Sequence, residues 1–260
     1  MKNFEFKKSL GQNFISDENI VNKIVDRAMI DKDTLVIEIG PGAGSLSKKI
    51  VPLAGYAILY EIDKRLKEIL ERELAMYDNY KIIFNDFLLQ NVKKDIEGYK
   101  YGKIYVVANL PYYITSPIII KLLKEIYPDR IVIMVQEEVA LRLSAKEGSR
   151  EYGMISCLLG SKYNITKLFK VNRGSFQPVP NVDSAVIMLD KHNDYVINDI
   201  DKYERLLKDA FQFKRKNLKN NLYNYDLVKI GEILNKYNLS LTNRAEEIPI
   251  KVFVEIVNNI

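Results

Sequence analysis

Over the first two thirds of the chain, short unbroken apolar runs alternate with segments whose apolar positions recur every three or four residues. The runs are TLVIEIG (34–40), YAILYEID (56–63), KIIFND (81–86), KIYVVAN (103–109), RIVIMVQ (130–136) and VDSAVIMLD (182–190). Strands apolar on both faces belong in a parallel sheet covered on both sides by helices. SDENIVNKIVDRAMI (16–30) predicts such a helix, with Ile20, Val21, Ile24, Val25 and Ala28 on one face. Ser16 is placed to cap it, and Asp17 and Glu18 suit its first turn. DKRLKEILERELAMY (63–77) predicts an amphipathic helix laced with Glu/Lys and Glu/Arg pairs.

The pattern changes near residue 191. KHNDYVINDID (191–201) is polar and reads as a linker. Beyond it only helical periodicity remains, in 203–223, 226–239 and 250–259. The expected organisation is an α/β domain over 1–190 and a small all-α domain over 191–260.

The turn after the first run, EIGPGAGSL, carries glycines at 40, 42 and 44. Small residues at the carboxyl edge of an α/β sheet let a nucleotide cofactor approach the backbone. The dinucleotide fingerprint G-x-G-x-x-G fails, because Ser45 stands at its last position. The spacing E-x-G-x-G-x-G is instead the methyltransferase variant, whose ligand S-adenosylmethionine has no phosphate to hold. Glu61 ends the second run, 21 residues after Gly40, where a carboxylate can accept from ribose hydroxyls. Asp86 ends the third, where a carboxylate can accept from an adenine amino group. The fold expected is therefore a Rossmann-like methyltransferase sheet of seven strands, mostly parallel.

The fourth run ends in Asn109-Leu110-Pro111-Tyr112. None of these residues is a strong acid, base or nucleophile. An adenine amino nitrogen is a poor nucleophile, because its lone pair is delocalised into the ring. A sulfonium methyl needs no further activation. The enzyme must align the nitrogen with the methyl and accept the amino hydrogens. The Asn109 side-chain oxygen and the Leu110 carbonyl suit that task, with Pro111 stiffening the turn. Tyr112 can stack on the base, and Phe176, in RGSFQPVPNVDSAV (173–186), can supply a second face around a flipped base. GQNF (11–14) can close over the cofactor.

Composition narrows the setting. The chain has 260 residues, 47% hydrophobic and 28% charged, enough for a substantial core. One Cys and one His exclude a disulfide framework and a Cys/His zinc site, so no metal is expected. No apolar run reaches the roughly 18 to 20 residues of a membrane span. The start, MKNFEFKKSLGQNF, lacks the apolar core of a signal peptide. A cytoplasmic, reduced protein without a membrane partner is expected. The net charge of +5 permits an RNA partner without demanding one. Lys214, Arg215, Lys216 and Lys219, with no acid among them, are the candidate phosphate contacts, on what reads as one helix. Lys2, Lys7 and Lys8 can extend that surface.

These motifs together resemble the KsgA-type ribosomal RNA adenine dimethyltransferases, which are related to the erythromycin-resistance methyltransferases. The resemblance runs through GQNF, EIGPGAGSLS, NLPYYI, MVQEEVALRL, FQPVPNVDSAV, AFQFKRKNLKNNL and RAEE, nearly the whole chain. It implies S-adenosylmethionine-dependent dimethylation of the N6 amino groups of two adjacent adenosines near the 3′ end of small-subunit rRNA. The implied partner is an assembling 30S-type particle, and a monomer is expected. Carried over position by position, Asn13, Ile15, Gly40, Glu61, Asp86 and Asn109 match cofactor contacts. Asn109, Leu110, Tyr112 and Phe176 match target-base positions. Three positions depart from the family: Ile15 where Leu is usual, Tyr113 where Asn is frequent, and Gly160 where Gln is common. The residues alone leave open a resistance-type enzyme acting on large-subunit rRNA. They also leave open an assembly or transcription factor that keeps the fold without catalysis.

Overall fold

The computed structural model describes Lys7 and residues 11–260. Lys2 and Lys8 therefore lie outside the described residues. The strands are β1 (Phe14–Ile15), β2 (Thr34–Ile39), β3 (Tyr56–Tyr60), β4 (Tyr80–Ile83), β5 (Lys103–Asn109), β6 (Arg130–Gln136), β7 (Tyr163–Val171), β8 (Phe176–Gln177) and β9 (Ser184–Lys191). The helices are α1 (Glu18–Ala28), α2 (Ser47–Ile50), α3 (Lys67–Glu73), α4 (Val92–Asp95), α5 (Thr115–Glu125), α6 (Glu137–Leu143) and α7 (Met154–Gly160). After β9 come α8 (Ile200–Ala210), α9 (Leu218–Asn221), α10 (Leu227–Asn235) and α11 (Ile250–Asn259).

The chain forms two compact units, 1–140 with 166–190 and 141–165 with 191–260. The first holds a seven-stranded sheet in the order β4-β3-β2-β5-β6-β9-β7. Strands β4 to β6 run parallel, and β9 runs antiparallel to β6 with Gln136 opposite Ser184. The central strands are buried along their length, as their continuous apolar runs require. Val36, Val107, Val132 and Val186 meet Val21, Ile24, Val25 and Ala28 of α1 in one core. Sheet direction places the ends of β2, β3 and β5 side by side, where a ligand site in an open α/β sheet belongs.

Two local expectations are corrected. The cap of α1 is Asp17, whose carboxylate accepts from the Asn19 amide at 2.9 Å. Ser16 is turned away and donates to the Ser175 carbonyl instead. The predicted helix over 63–77 is a 3-10 turn at Lys64–Leu66, capped by Asp63, followed by α3, which ends at Glu73.

In the second unit α8 packs on α7 and on α11, and α10 on α11. Its nucleus is aromatic. Tyr152 meets Phe211 edge-on at 5.9 Å, and Phe211 lies 5.8 Å from Phe253. Residues 141–165, expected from their place between strands to belong with 1–190, cluster in this unit because Cys157, Leu158 and Leu159 of α7 bury here. Gly160 has a packing reason: a side chain there would meet the Ile250 Cδ1 at 2.6 Å. The predicted helix over 203–223 breaks at Ala210. Asn221 donates its amide to the Ala210 and Phe213 carbonyls, and Asn217 caps the short α9. Such side chains offer the backbone partners that compete with a continuous helix.

Candidate active site

The glycine turn after β2 and the loops after β3 and β5 surround a pocket of about 700 Å³, counted out to its open mouth. Gly40, Gly42 and Gly44 all have positive φ, so the turn coils tightly enough to bring amide groups inward. The Gly42 amide donates to Glu61 Oε2 at 3.0 Å, and the Asp63 amide donates to Oε1 at 2.8 Å. Both carboxylate oxygens are thus aimed by backbone. Burial raises the Glu61 carboxyl above its ordinary pKa, while those two amides pull the other way. Asp63 in turn binds Arg65, which holds its own carboxyl down to about 2.

Residues 11–15 cross the pocket as a strap. Gln12 Nε2 donates to Asp63 Oδ2 at 2.8 Å, and the Asn13 carbonyl accepts from Asn109 Nδ2 at 2.8 Å. The strap's end is β1, paired antiparallel with β8, so that Ile15 faces Phe176. The ring of Phe14 fills the space over Gly42, where a Cβ would lie 2.5 Å from it.

Asn109 closes β5. Its amide nitrogen donates to the Asn13 carbonyl, and both residues line the pocket, which leaves Oδ1 as the acceptor of the side-chain amide. Leu110 is buried, and its own N–H donates to the Met134 carbonyl at 3.1 Å, fixing the peptide plane. Tyr112 borders the pocket and its hydroxyl meets Ser184 Oγ at 2.6 Å.

Asn13, Ile15, Gly40, Glu61, Asn109, Leu110 and Tyr112 are therefore gathered on one pocket. Two predicted residues are not. Asp86 caps a 3-10 turn, accepting from the Leu88 amide at 2.9 Å, and does not line the pocket. Phe176 is 2% exposed, in the core with Ile15 and Val107, and presents no face to a base in this arrangement. Its work here is to hold β1. Tyr113 is 59% exposed and packs against Gly11 outside the lining.

Sequence reading missed Glu38 as a site residue. It is 1% exposed, lines the pocket and accepts from Ser47 Oγ at 2.7 Å. Its signal was an acid inside an otherwise apolar strand. Burial, and secondarily the nearby Glu61, pushes its pKa up to about 8 against the Ser47 hydrogen bond. A carboxyl raised on folding binds more protons folded than unfolded between pH 4.5 and 8, so its contribution to stability falls as pH rises through that window. Glu61 acts in the same direction. Glu38→Gln is expected to flatten the decline in thermal midpoint between pH 5 and 8, measured without ligand. An unchanged slope would count against this burial cost.

The donor set fits one kind of cofactor. Among the described residues lining the pocket there are two acidic side chains, Glu38 and Glu61, and no Lys, Arg or His. That suits a cation with ribose hydroxyls rather than a phosphate. The open cradle at Gly40, whose nearest neighbour to an added Cβ is the Asn109 carbonyl at 3.8 Å, suits close approach to backbone. No cluster among the described residues could hold a metal ion, and no described helix is long and apolar enough to cross a membrane.

Sheet order, glycine turn and cation-free pocket define a Rossmann-like methyltransferase using S-adenosylmethionine. Residues 3–260 match the family model of the ribosomal RNA adenine dimethylases, and the chain belongs to that family. A ribosomal RNA small subunit methyltransferase A from Staphylococcus aureus (strain JH9) is 43% identical over 227 residues, 85% of this chain and 76% of that protein. The crystal structure of a dimethyladenosine transferase from Plasmodium falciparum superposes with a TM-score of 0.79 at 25% identity, covering 94% of this chain and 95% of that one. The 23S rRNA methyltransferase ErmE shares the fold, with a TM-score of 0.75 at 22% identity over 95% and 98% of the two chains.

Proposed function

We propose that this enzyme transfers methyl groups to the N6 amino groups of two adjacent adenosines near the 3′ end of small-subunit (16S) rRNA, each twice. It acts as a monomer in the cytoplasm, on an assembling 30S-type particle. The carrying observation is the Asn109 amide, oriented by the Asn13 carbonyl so that Oδ1 is available as an acceptor. Glu61, Gly40 and the strap would hold the cofactor, which when bound would supply an activated sulfonium methyl. Asn109 Oδ1 and the Leu110 carbonyl accept the adenine amino hydrogens, which localises electron density on the nitrogen. Tyr112 stacks on the base and favours positive charge developing there. No strong base is required, because the product ammonium is acidic enough to release its proton to water. Cofactor binding and target selection meet at Asn109, and the strap orders both.

Lys214, Arg215, Lys216 and Lys219 are all exposed, on the turn before α9 and on α9 itself rather than along one helix face. A turn of cations suits the irregular phosphate path of a folded rRNA better than a straight helix face does. Neutralising them should lessen the salt dependence of particle binding by about 0.7 in log–log slope per lost contact.

The test is direct. The enzyme is incubated with labelled cofactor and ribosomal particles from a methylation-deficient host, and modified nucleotides are mapped by primer extension on both rRNAs. Two adjacent dimethylated adenosines in small-subunit rRNA are expected. Modification of large-subunit rRNA instead would overturn the substrate assignment, and binding of the particle without product would overturn the catalytic one.

A further inference from the structure

We propose that Ser184 is a positioning residue for catalysis, anchoring the tip of the Tyr112 ring so that the ring does not swing away from the base; this rests on the role given to Tyr112 above. Tyr112 begins a 3-10 turn, Tyr112–Ile114, whose first residue has no side-chain cap. The Tyr112 hydroxyl is held at the far end of the ring, 2.6 Å from Ser184 Oγ.

Ser184 is a firm anchor. It is fully buried at the start of β9, in register with Gln136 of β6. The residue before it is tied on three sides. The Asp183 carbonyl accepts from the Glu137 amide at 3.0 Å. The Asp183 carboxylate accepts from the Arg173 amide at 3.0 Å and pairs with Lys170 at 2.9 Å. Ser184 does not line the pocket, so whatever it contributes to the reaction passes through Tyr112.

The physical reason is orientation. Stacking holds the amino nitrogen in line with the methyl only if the ring is in place before the base arrives. A ring free to swing must be ordered at each turnover, and a small tilt displaces the nitrogen from its attack line. A hydrogen bond from a buried strand to the ring's tip removes that freedom. The loss should appear in kcat, since alignment is realised in the transition state.

The experiment is a mutant cycle on particles: Tyr112→Ala, Tyr112→Phe, Ser184→Ala, and Tyr112→Phe with Ser184→Ala, with cofactor affinity measured alongside. Tyr112→Ala should abolish most activity. Tyr112→Phe and Ser184→Ala should each lower kcat about tenfold, as loss of one buried hydrogen bond does, with cofactor affinity unchanged. The double variant should be no slower than either single one. Ser184→Cys, which keeps volume and a weak donor, should fall between wild type and Ser184→Ala. If Ser184→Ala does not fold, Ser184→Cys and Tyr112→Phe still test the bond from both ends. Near-normal activity in Tyr112→Ala would overturn the stacking role itself. A crippled Tyr112→Ala beside an unaffected Ser184→Ala, or a further tenfold loss on adding Ser184→Ala to Tyr112→Phe, would overturn the positioning role alone.

Discussion

Asn109→Ala should lower the rate of methyl transfer about 100- to 1000-fold, the loss usual when one preorganised hydrogen-bonding group is removed from a transition state. The change removes the Oδ1 acceptor that localises electron density on the amino nitrogen. It also releases the Asn13 carbonyl, to which Asn109 Nδ2 donates at 2.8 Å. The second loss loosens the strap, so cofactor affinity should fall too, by a smaller factor. The fold should survive, because Asn109 is only half-buried and its strand keeps its neighbours. Asn109→Asp separates the two effects. It retains acceptor oxygens but loses the donor and sets a carboxylate against the Asn13 carbonyl. It should therefore be more active than the alanine variant while binding cofactor no better. A near-normal rate for Asn109→Ala, measured as single-turnover methylation of small-subunit particles, would remove Asn109 from the mechanism.

The second large effect is expected from one methyl group. Gly42→Ala places a Cβ 2.5 Å from Phe14 Cε1 and 2.7 Å from Cδ1, at a residue with φ of +60°. The left-handed backbone alone costs roughly 1–2 kcal/mol for a residue with a Cβ. The ring has little room to retreat, because it is packed on Leu66 and Leu70 and its backbone is paired to Gln177. Either the strap lifts or the turn flattens, and flattening breaks the Gly42 amide's bond to Glu61. Cofactor affinity should drop about 10- to 100-fold, since each tenfold corresponds to about 1.4 kcal/mol. Calorimetric titration checks it. Adding Phe14→Ala removes the clash but not the strained φ, so partial recovery is expected. No recovery would assign the whole effect to the backbone.

Which parts of this were legible in the chain follows from what each signal measures. Strands β5 and β6 begin and end where their apolar runs do, because a central strand is buried on both faces and polar residues mark its exit. Edge strand β7 left no such mark. Its Asn164, Thr166, Lys167 and Lys170 interrupt the apolar residues, since an edge need not be apolar. Local spacing also misjudged the basic segment. Periodicity continued through 211–217, yet Asn217 and Asn221 redirected the backbone. The glycine turn and the Asn109 tetrad were readable because each is a contiguous motif, and Glu61 because it ends an apolar run at a fixed distance from that turn. Glu38 was readable as an anomaly whose role depends on a cavity. Phe176, expected as a second face around a flipped base, is drawn into the core by pairing with Ile15. The Tyr112–Ser184 bond spans 72 positions and has no local signature.

The strap has a consequence for the protein's own synthesis. Residues 11–15 are made before the rest of the pocket's lining, yet Ser16 finds its partner Ser175 only 159 positions later. At about 5–20 residues per second, the opening segment waits roughly ten to thirty seconds for its anchor. Until β8 emerges, the glycine turn lacks its cover and Asn109 lacks a firmly held carbonyl to orient it. The part of the lining translated first is thus the last to gain its anchor. A nascent chain ending before residue 176 would carry every described residue of the pocket's lining but not the strand that pairs with β1.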